Sequence, residues 1–459
     1  MTESWFAVAA AVMLVGSLAG AAVAATDDST DGESVDGWSA TVPDVHDVPE
    51  PDEDGTATVG DREYDSLQAA IDAADPGDTV LVAGRFDERV TVETPAVTIE
   101  AVERDGAVID GGGEGTVVDV RADGVTIAGV WIRNSGTDQT DDDSGVVVNG
   151  SNATLSELRL TDVDFGVWIG AVDGVTVEES IVAGREDVTV PERGNGIHLW
   201  ETTDAEIRNN YVTTVRDGIY YQWAEGVAAE GNVMWEMRYG VHYMYSNDNV
   251  LADNVAFDND VGFALMVSQE LTLRNNTAAN NDGSSGHGIL VKDVENSEIV
   301  DNDLVGNGNG LYVYNAQHNR MADNLVLEND VGVHITAGSS GELVTGNSFV
   351  ANDAAAFAET NAQVSWNDTD RGNYWSDARA VDLDGDGTSE ARHQPAGTVE
   401  RVVHENPQAA VFTESPAFDA VRLAESSFPI VETPGIVDQR PLAEPAHEDW
   451  RSYYEHHDH

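Results

Sequence analysis

The sequence predicts an all-β fold, a right-handed parallel β-helix wound in coils of about 22 residues, with a capping helix before it and an extension after it. Two series of residues and one alternation predict it. Asn210, Asn232, Asn254, Asn276, Asn302, Asn324 and Asn347 are separated by 22, 22, 22, 26, 22 and 23 residues. In step with them run Gly218, Gly240, Gly262, Gly288, Gly310 and Gly332, and looser copies stand at Gly145, Gly166 and Gly196. The period is too short for a pair of helices and lacks the leucine grid of leucine-rich repeats, whereas β-branched residues and period-2 alternation suit short strands.

Each element follows in chain order. Trp5 to Ala25 is an uncharged apolar run ending in "AAVAATDD", which reads as a signal peptide or membrane anchor over residues 1–25. Residues 26–55 are acidic, with few apolar side chains, and read as a disordered linker. "YDSLQAAIDAADPGDTVLVAGRFDERVTV" then gives a short amphipathic helix, a Pro-Gly turn and strands, so the helix can cover the open end of the first coil. The β-helix itself is assigned to 56–355 and the extension to 356–459. Within it, the residues three before and two after each asparagine are apolar, and so are the first and third after each glycine, such as Val241 and Tyr243. These columns face inward, and the second and fourth residues after each glycine face out. The asparagines are expected to stack into a ladder at a turn, and the glycines to supply corners.

Charge narrows the function. The net charge is −62, from 84 acidic and 22 basic side chains, and Lys292 is the one lysine. Such a surface fits a high-salt setting, where the Debye length shrinks to about 3 Å at 1 M. Without a basic stripe, nucleic acid is not an expected partner. There is no cysteine, which excludes disulfides and a lipid-anchoring cysteine.

Three segments carry candidate chemistry. "SGHGILVK" places His287 between glycines as in some polysaccharide hydrolases, but the basic pair and flanking acids that such chemistry uses do not follow it. "DLDGDGTSE" sets Asp382, Asp384 and Asp386 at calcium-loop spacing, with His393 where a bidentate Glu belongs, so these three are candidate calcium ligands. In "MRYGVHYMYSNDN", His242 and Met244 fall in outward columns, and Met266 stands one coil beyond Met244. Met237 occupies a corner nearby. Thioethers with an imidazole and no cysteine suit Cu(I), which makes Met237, His242, Met244 and Met266 candidate copper ligands. The bland alternative is that the methionines pack beneath another segment, such as the extension.

From Tyr64 to about Asn352 the pattern resembles the pectate-lyase-like β-helix superfamily, whose members include lyases, hydrolases and epimerases. "EMRYGVHYMYSNDNVLADNVAFDNDVGFALMVS", "GHGILVKD", "NGLYVYNAQHNRMADN", "GNYWSD" and "FPIVETPGIVDQRPLAEP" resemble the NosD family more closely. That resemblance implies an exported, non-enzymatic accessory factor of nitrous oxide reductase maturation that binds copper transiently. It also implies, as partners, the permease and ATPase of an ABC-type transporter, a copper chaperone and the apo-reductase. The rival expectations are a β-helix enzyme acting on an acidic glycan, or a structural surface protein.

Overall fold

The computed structural model describes residues 38, 40–45, 48–336, 338–358, 363–395, 407–412, 415–418, 420–421 and 436–457. The segment expected to be a signal peptide or anchor, and the linker up to residue 37, lie outside them. The repeat folds as expected into a parallel β-solenoid. A representative coil runs Ala228–Glu230, Val233–Trp235 and Tyr239–Met244, and each of these strands pairs in parallel with its equivalent one coil on. Three strand columns result, called sheets I, II and III in that order. Among the described residues sheet III has 12 strands, while I and II are joined through Thr79–Phe86, whose two halves pair with Thr98–Ala101 and Ala107–Asp110.

The first coil is closed by the helix Leu67–Ala73. Ser66 caps it by accepting from Ala69 N at 3.2 Å, and Glu88 accepts from Leu67 N at 2.6 Å, so two otherwise unpaired helix-end donors are satisfied. Leu67, Ala70 and Ile71 are the buried face that seals the solenoid interior.

The core is a column of stacked apolar side chains. Val241, Tyr243, Phe263 and Leu265 are all fully buried, and the Tyr221 and Tyr243 rings stack at 4.1 Å. Between sheets I and II the asparagines form the expected ladder. Asn254 Nδ2 donates to Asn276 Oδ1 at 3.0 Å and Asn276 Nδ2 to Asn302 Oδ1 at 2.9 Å, and the chain of amides continues through Asn347 to Asn373. A second ladder, through Asn259, Asn281, Asn307, Asn329 and Asn352, lines the corner between sheets II and III. Both ladders give buried turn carbonyls and amides the partners they need.

Three details differ from expectation. The repeated glycines do not turn corners: they lie in the strands without positive φ, and a Cβ on Gly240 would meet Gly262 O at 2.7 Å and Ala256 Cβ at 2.9 Å. Close approach between coils is what excludes a side chain there. Nor is all of 26–55 a free linker. Arg159 donates to the carbonyls of Asp44 and Val45, Asn280 Nδ2 donates to Trp38 O at 2.7 Å, and Glu50 pairs with Arg133. Trp38, Val42 and Val45 supply apolar anchors that an average over the whole acidic segment conceals.

The coil also continues past residue 355. Ala354–Ala358, Gln363–Ser365 and Tyr374–Trp375 add to the three sheets, and Asp438 closes the end by accepting from Asn373 N at 2.7 Å and Trp375 Nε1 at 2.9 Å. The segment Trp450–His457 packs on the outside of sheet II, where Trp450 is buried and Tyr453 donates to Asp303.

One buried position, outside both ladders and one coil on from Asn319, is occupied by an acid. Glu342 is 1% exposed, accepts from Asn319 Nδ2 at 3.4 Å and leaves Oε2 without a partner. Burial pushes its carboxyl up to about 7. A carboxyl raised in the folded state stabilises fully below its unfolded value near 4.5, and that contribution is lost as pH rises towards about 7. Glu342→Gln is therefore expected to raise the melting temperature at pH 8 and to change it little at pH 4. Melting curves of both chains across that range check it; equal curves at pH 8 would contradict it.

Candidate metal centre on the outer face of sheet III

Strand alternation on sheet III places Tyr220, His242 and Ala264 in one outward column and Gln222, Met244, Met266 and Lys292 in the next. Met244 and Met266 are register partners on adjacent coils, hence about 4.8 Å apart along the solenoid axis. Both are half-buried. Ala264 stands directly beside His242, and its short side chain leaves Met266 packed on a small apolar cluster of Val261, Ala264 and Leu290.

His242 faces outward yet is only 7% exposed, because Tyr220 and Tyr239 flank its ring at 4.8 and 5.0 Å. Its Nδ1 lies 3.0 Å from Asp217 Oδ2. Asp217 is 1% exposed, and Arg238 donates to its two oxygens at 2.8 and 2.5 Å while stacking over Tyr239 at 4.3 Å. Burial pushes the Asp217 carboxyl up, but the hydrogen bonds from His242 and Arg238 outweigh it and hold it below the usual carboxylate range. An ionised carboxylate only accepts, so the Nδ1 proton of His242 is fixed towards it. In the neutral ring Nε2 then carries the lone pair, and Nε2 has no hydrogen-bond partner among the described residues. A carboxylate holding one imidazole nitrogen while the other is left free is the arrangement that orients metal-ligating histidines.

Asp217 and Arg238 were not among the sequence candidates. The available signal was an acid at the start of a sheet III strand, where the next coils carry Tyr239 and Val261.

Met237 does not belong to this face. It is 4% exposed within the main core, and its Cε approaches the space beside Gly218. The reason is its corner: Met237 opens the second asparagine ladder, with its N donating to Asn259 Oδ1 at 3.0 Å, and that column points inward. A buried thioether beneath the sheet cannot share a ligand set with His242 on its outer side, so Met237 is withdrawn from the candidate copper ligands.

Other candidates lie apart. His198, one column mate away, is buried against Trp168 at 3.8 Å, and burial lowers its pKa to about 3. His287 stacks on Tyr312 at 4.5 Å, with its Nδ1 3.3 Å from Asn309 Nδ2. In the acidic loop, carboxylate oxygens of Asp382, Asp384 and Glu390 lie within 4.8 Å of one another. Glu390, not Asp386, completes that group, because Asp386 accepts from Thr388 and lies 3.9 Å from Arg440. The extension does not cover the methionine pair with any described residue of its terminal segment, whose packing is on sheet II.

The comparisons agree with the fold and select within it. A family model described as "Periplasmic copper-binding protein (NosD)" matches residues 178–380, which contain the whole His242 site. A "Probable ABC transporter binding protein NosD" from Pseudomonas aeruginosa is 32% identical over 402 residues, covering 84% of this chain and 92% of its own. The protein of the same description from Stutzerimonas stutzeri is 32% identical over 376 residues, covering 79% and 86%. Among solved structures, the A-module of the Azotobacter vinelandii mannuronan C-5 epimerase AlgE6 superposes with a TM-score of 0.54 over 66% of this chain and 93% of that module. Its identity is 15%, so it bears on fold alone. Identity at this level over nearly the whole length of two relatives shows that the chain belongs to the NosD family.

Proposed function

We propose that this chain is an exported, non-enzymatic accessory factor that carries copper as transient cargo and helps supply it to nitrous oxide reductase. Copper is held as Cu(I) by His242 Nε2 and the thioethers of Met244 and Met266. The observation that carries the reading is the buried Asp217 carboxylate fixing His242 Nδ1 and leaving Nε2 unpaired on the sheet face that also carries two aligned methionines. Soft sulfur donors favour Cu(I), and two half-buried thioethers on the outer face of a sheet suit release better than a closed cage. The descriptions of the relatives support work outside the cytoplasm with an ABC transporter, and in this reading the chain docks on that transporter's permease and ATPase. A copper chaperone is the donor and the apo-reductase the recipient in this reading.

The test is the pair Met244→Leu and Met266→Leu. Leucine keeps volume and apolarity, so folding is expected to persist. Copper retained by the reduced, purified protein is expected to fall at least about tenfold, as does the copper content of the reductase in cells carrying the variant. Undiminished binding in the double variant would sink the ligand assignment.

A further inference from the structure

The residue directly after each of six successive sheet III strands adopts a left-handed backbone, with φ of 48° at Glu201, 54° at Trp223, 54° at Tyr245, 50° at Val267, 53° at Asp293 and 49° at Asn315. Side chains that suit this conformation are asparagine and aspartate, whereas a bulky or β-branched one is an outlier there. Three successive coils nevertheless carry Trp223, Tyr245 and Val267, which are 48%, 47% and 37% exposed. The Trp223 and Tyr245 rings run parallel at 6.0 Å, forming an apolar strip out in solvent. Neither burial nor backbone preference accounts for it.

We infer that Trp223, Tyr245 and Val267 form a docking strip for a partner protein that presents an apolar patch ringed by lysine or arginine. The charge around the strip selects that occupant. On the turn that follows it stand Glu225, Asp248, Glu270 and Glu295, all exposed, with Glu225 bridged to Asn247 and Glu295 to Gln269. A second copy of this chain would bring the same carboxylate row against itself, and an anionic lipid surface would be repelled likewise. In concentrated salt the charges act only at contact, so the apolar strip supplies affinity and the acidic row excludes partners of the wrong sign. Because Met244 and Met266 immediately precede Tyr245 and Val267, a bound partner also covers the methionine pair. The strip stands on its own exposure, backbone and charge and does not require that the methionines hold copper.

The experiment places the photo-crosslinking residue p-benzoylphenylalanine at position 223 of the full chain in the cell that produces it, and sequences the crosslinked peptides. The expected result is attachment to another protein, at a segment with apolar residues among lysines or arginines. With Tyr245→Asn and Val267→Asn added, the yield is expected to fall about tenfold or more, as when interface anchors are removed. The triple variant Trp223→Asn, Tyr245→Asn, Val267→Asn is expected to melt no lower than the parent, since asparagine suits the left-handed backbone. Crosslinks confined to this chain's own residues 396–406 or 422–435, to a second copy or to lipid would overturn the inference. So would no crosslink, or a triple variant that fails to fold.

Discussion

Replacing Asp217 by asparagine is expected to weaken Cu(I) binding by about 10- to 100-fold and to destabilise the fold by about 3–5 kcal/mol. The two losses have different origins. Stability falls because Arg238, which donates twice to Asp217, is left as a partly buried charge without its counter-ion. Copper binding falls because an asparagine amide can donate to His242 Nδ1, which moves the ring proton to Nε2, where the metal would sit. Arg238→Met separates them. It breaks the same ion pair, yet leaves the 3.0 Å contact that orients His242. Denaturant midpoints of the two variants should therefore be similar, while competition against a Cu(I) chelator should show binding lost only in Asp217→Asn. Equal loss of copper in both would reduce Asp217 to a structural role.

The contrast between Met237 and Met244 shows what the sequence could reveal. Inward and outward columns were readable wherever a strand alternates, because a one-residue shift reverses the face, and so Val241 and Tyr243 fell inside and Met244 outside. Corners do not alternate. Met237 lies in one, and only the second asparagine ladder, seen in three dimensions, reveals that the column points inward. The glycines mislead for a related reason, since the sequence signals a missing Cβ without saying whether φ or a neighbouring coil forbids it. Asp217 was hidden because its partner His242 lies 25 residues away, one coil on, and only the stacking of coils brings a strand's first residue beside the next coil's imidazole. The linker failed differently: low average hydrophobicity masked single anchors such as Trp38, whose ring lies 6.3 Å from Phe257 and 5.8 Å from Tyr453.

Asn276→Asp is expected to cost about 3–5 kcal/mol at neutral pH, although it changes one atom of a fully buried side chain. The amide of Asn276 donates to Asn302 Oδ1 and Leu251 O, both at 2.9 Å, and its Oδ1 accepts from Asn254 N and Asn254 Nδ2, both at 3.0 Å. A carboxylate preserves the two accepted bonds and loses both donated ones, setting a charge against two carbonyl oxygens. Burial with no donor for the second oxygen raises that carboxyl's folded pKa, so the penalty is smallest under acid conditions and grows as pH rises through the raised value. Asn276→Ala instead orphans the neighbours on both sides, and its cost should not follow pH in this way. A solenoid couples each coil only to its neighbours, so a break at the Asn276 coil should also split unfolding into two transitions. Urea titrations at pH 4 and pH 8, followed by fluorescence and by circular dichroism, measure both effects. A single transition with an unchanged midpoint at pH 8 would mean that the ladder satisfies the turns without holding the coils together.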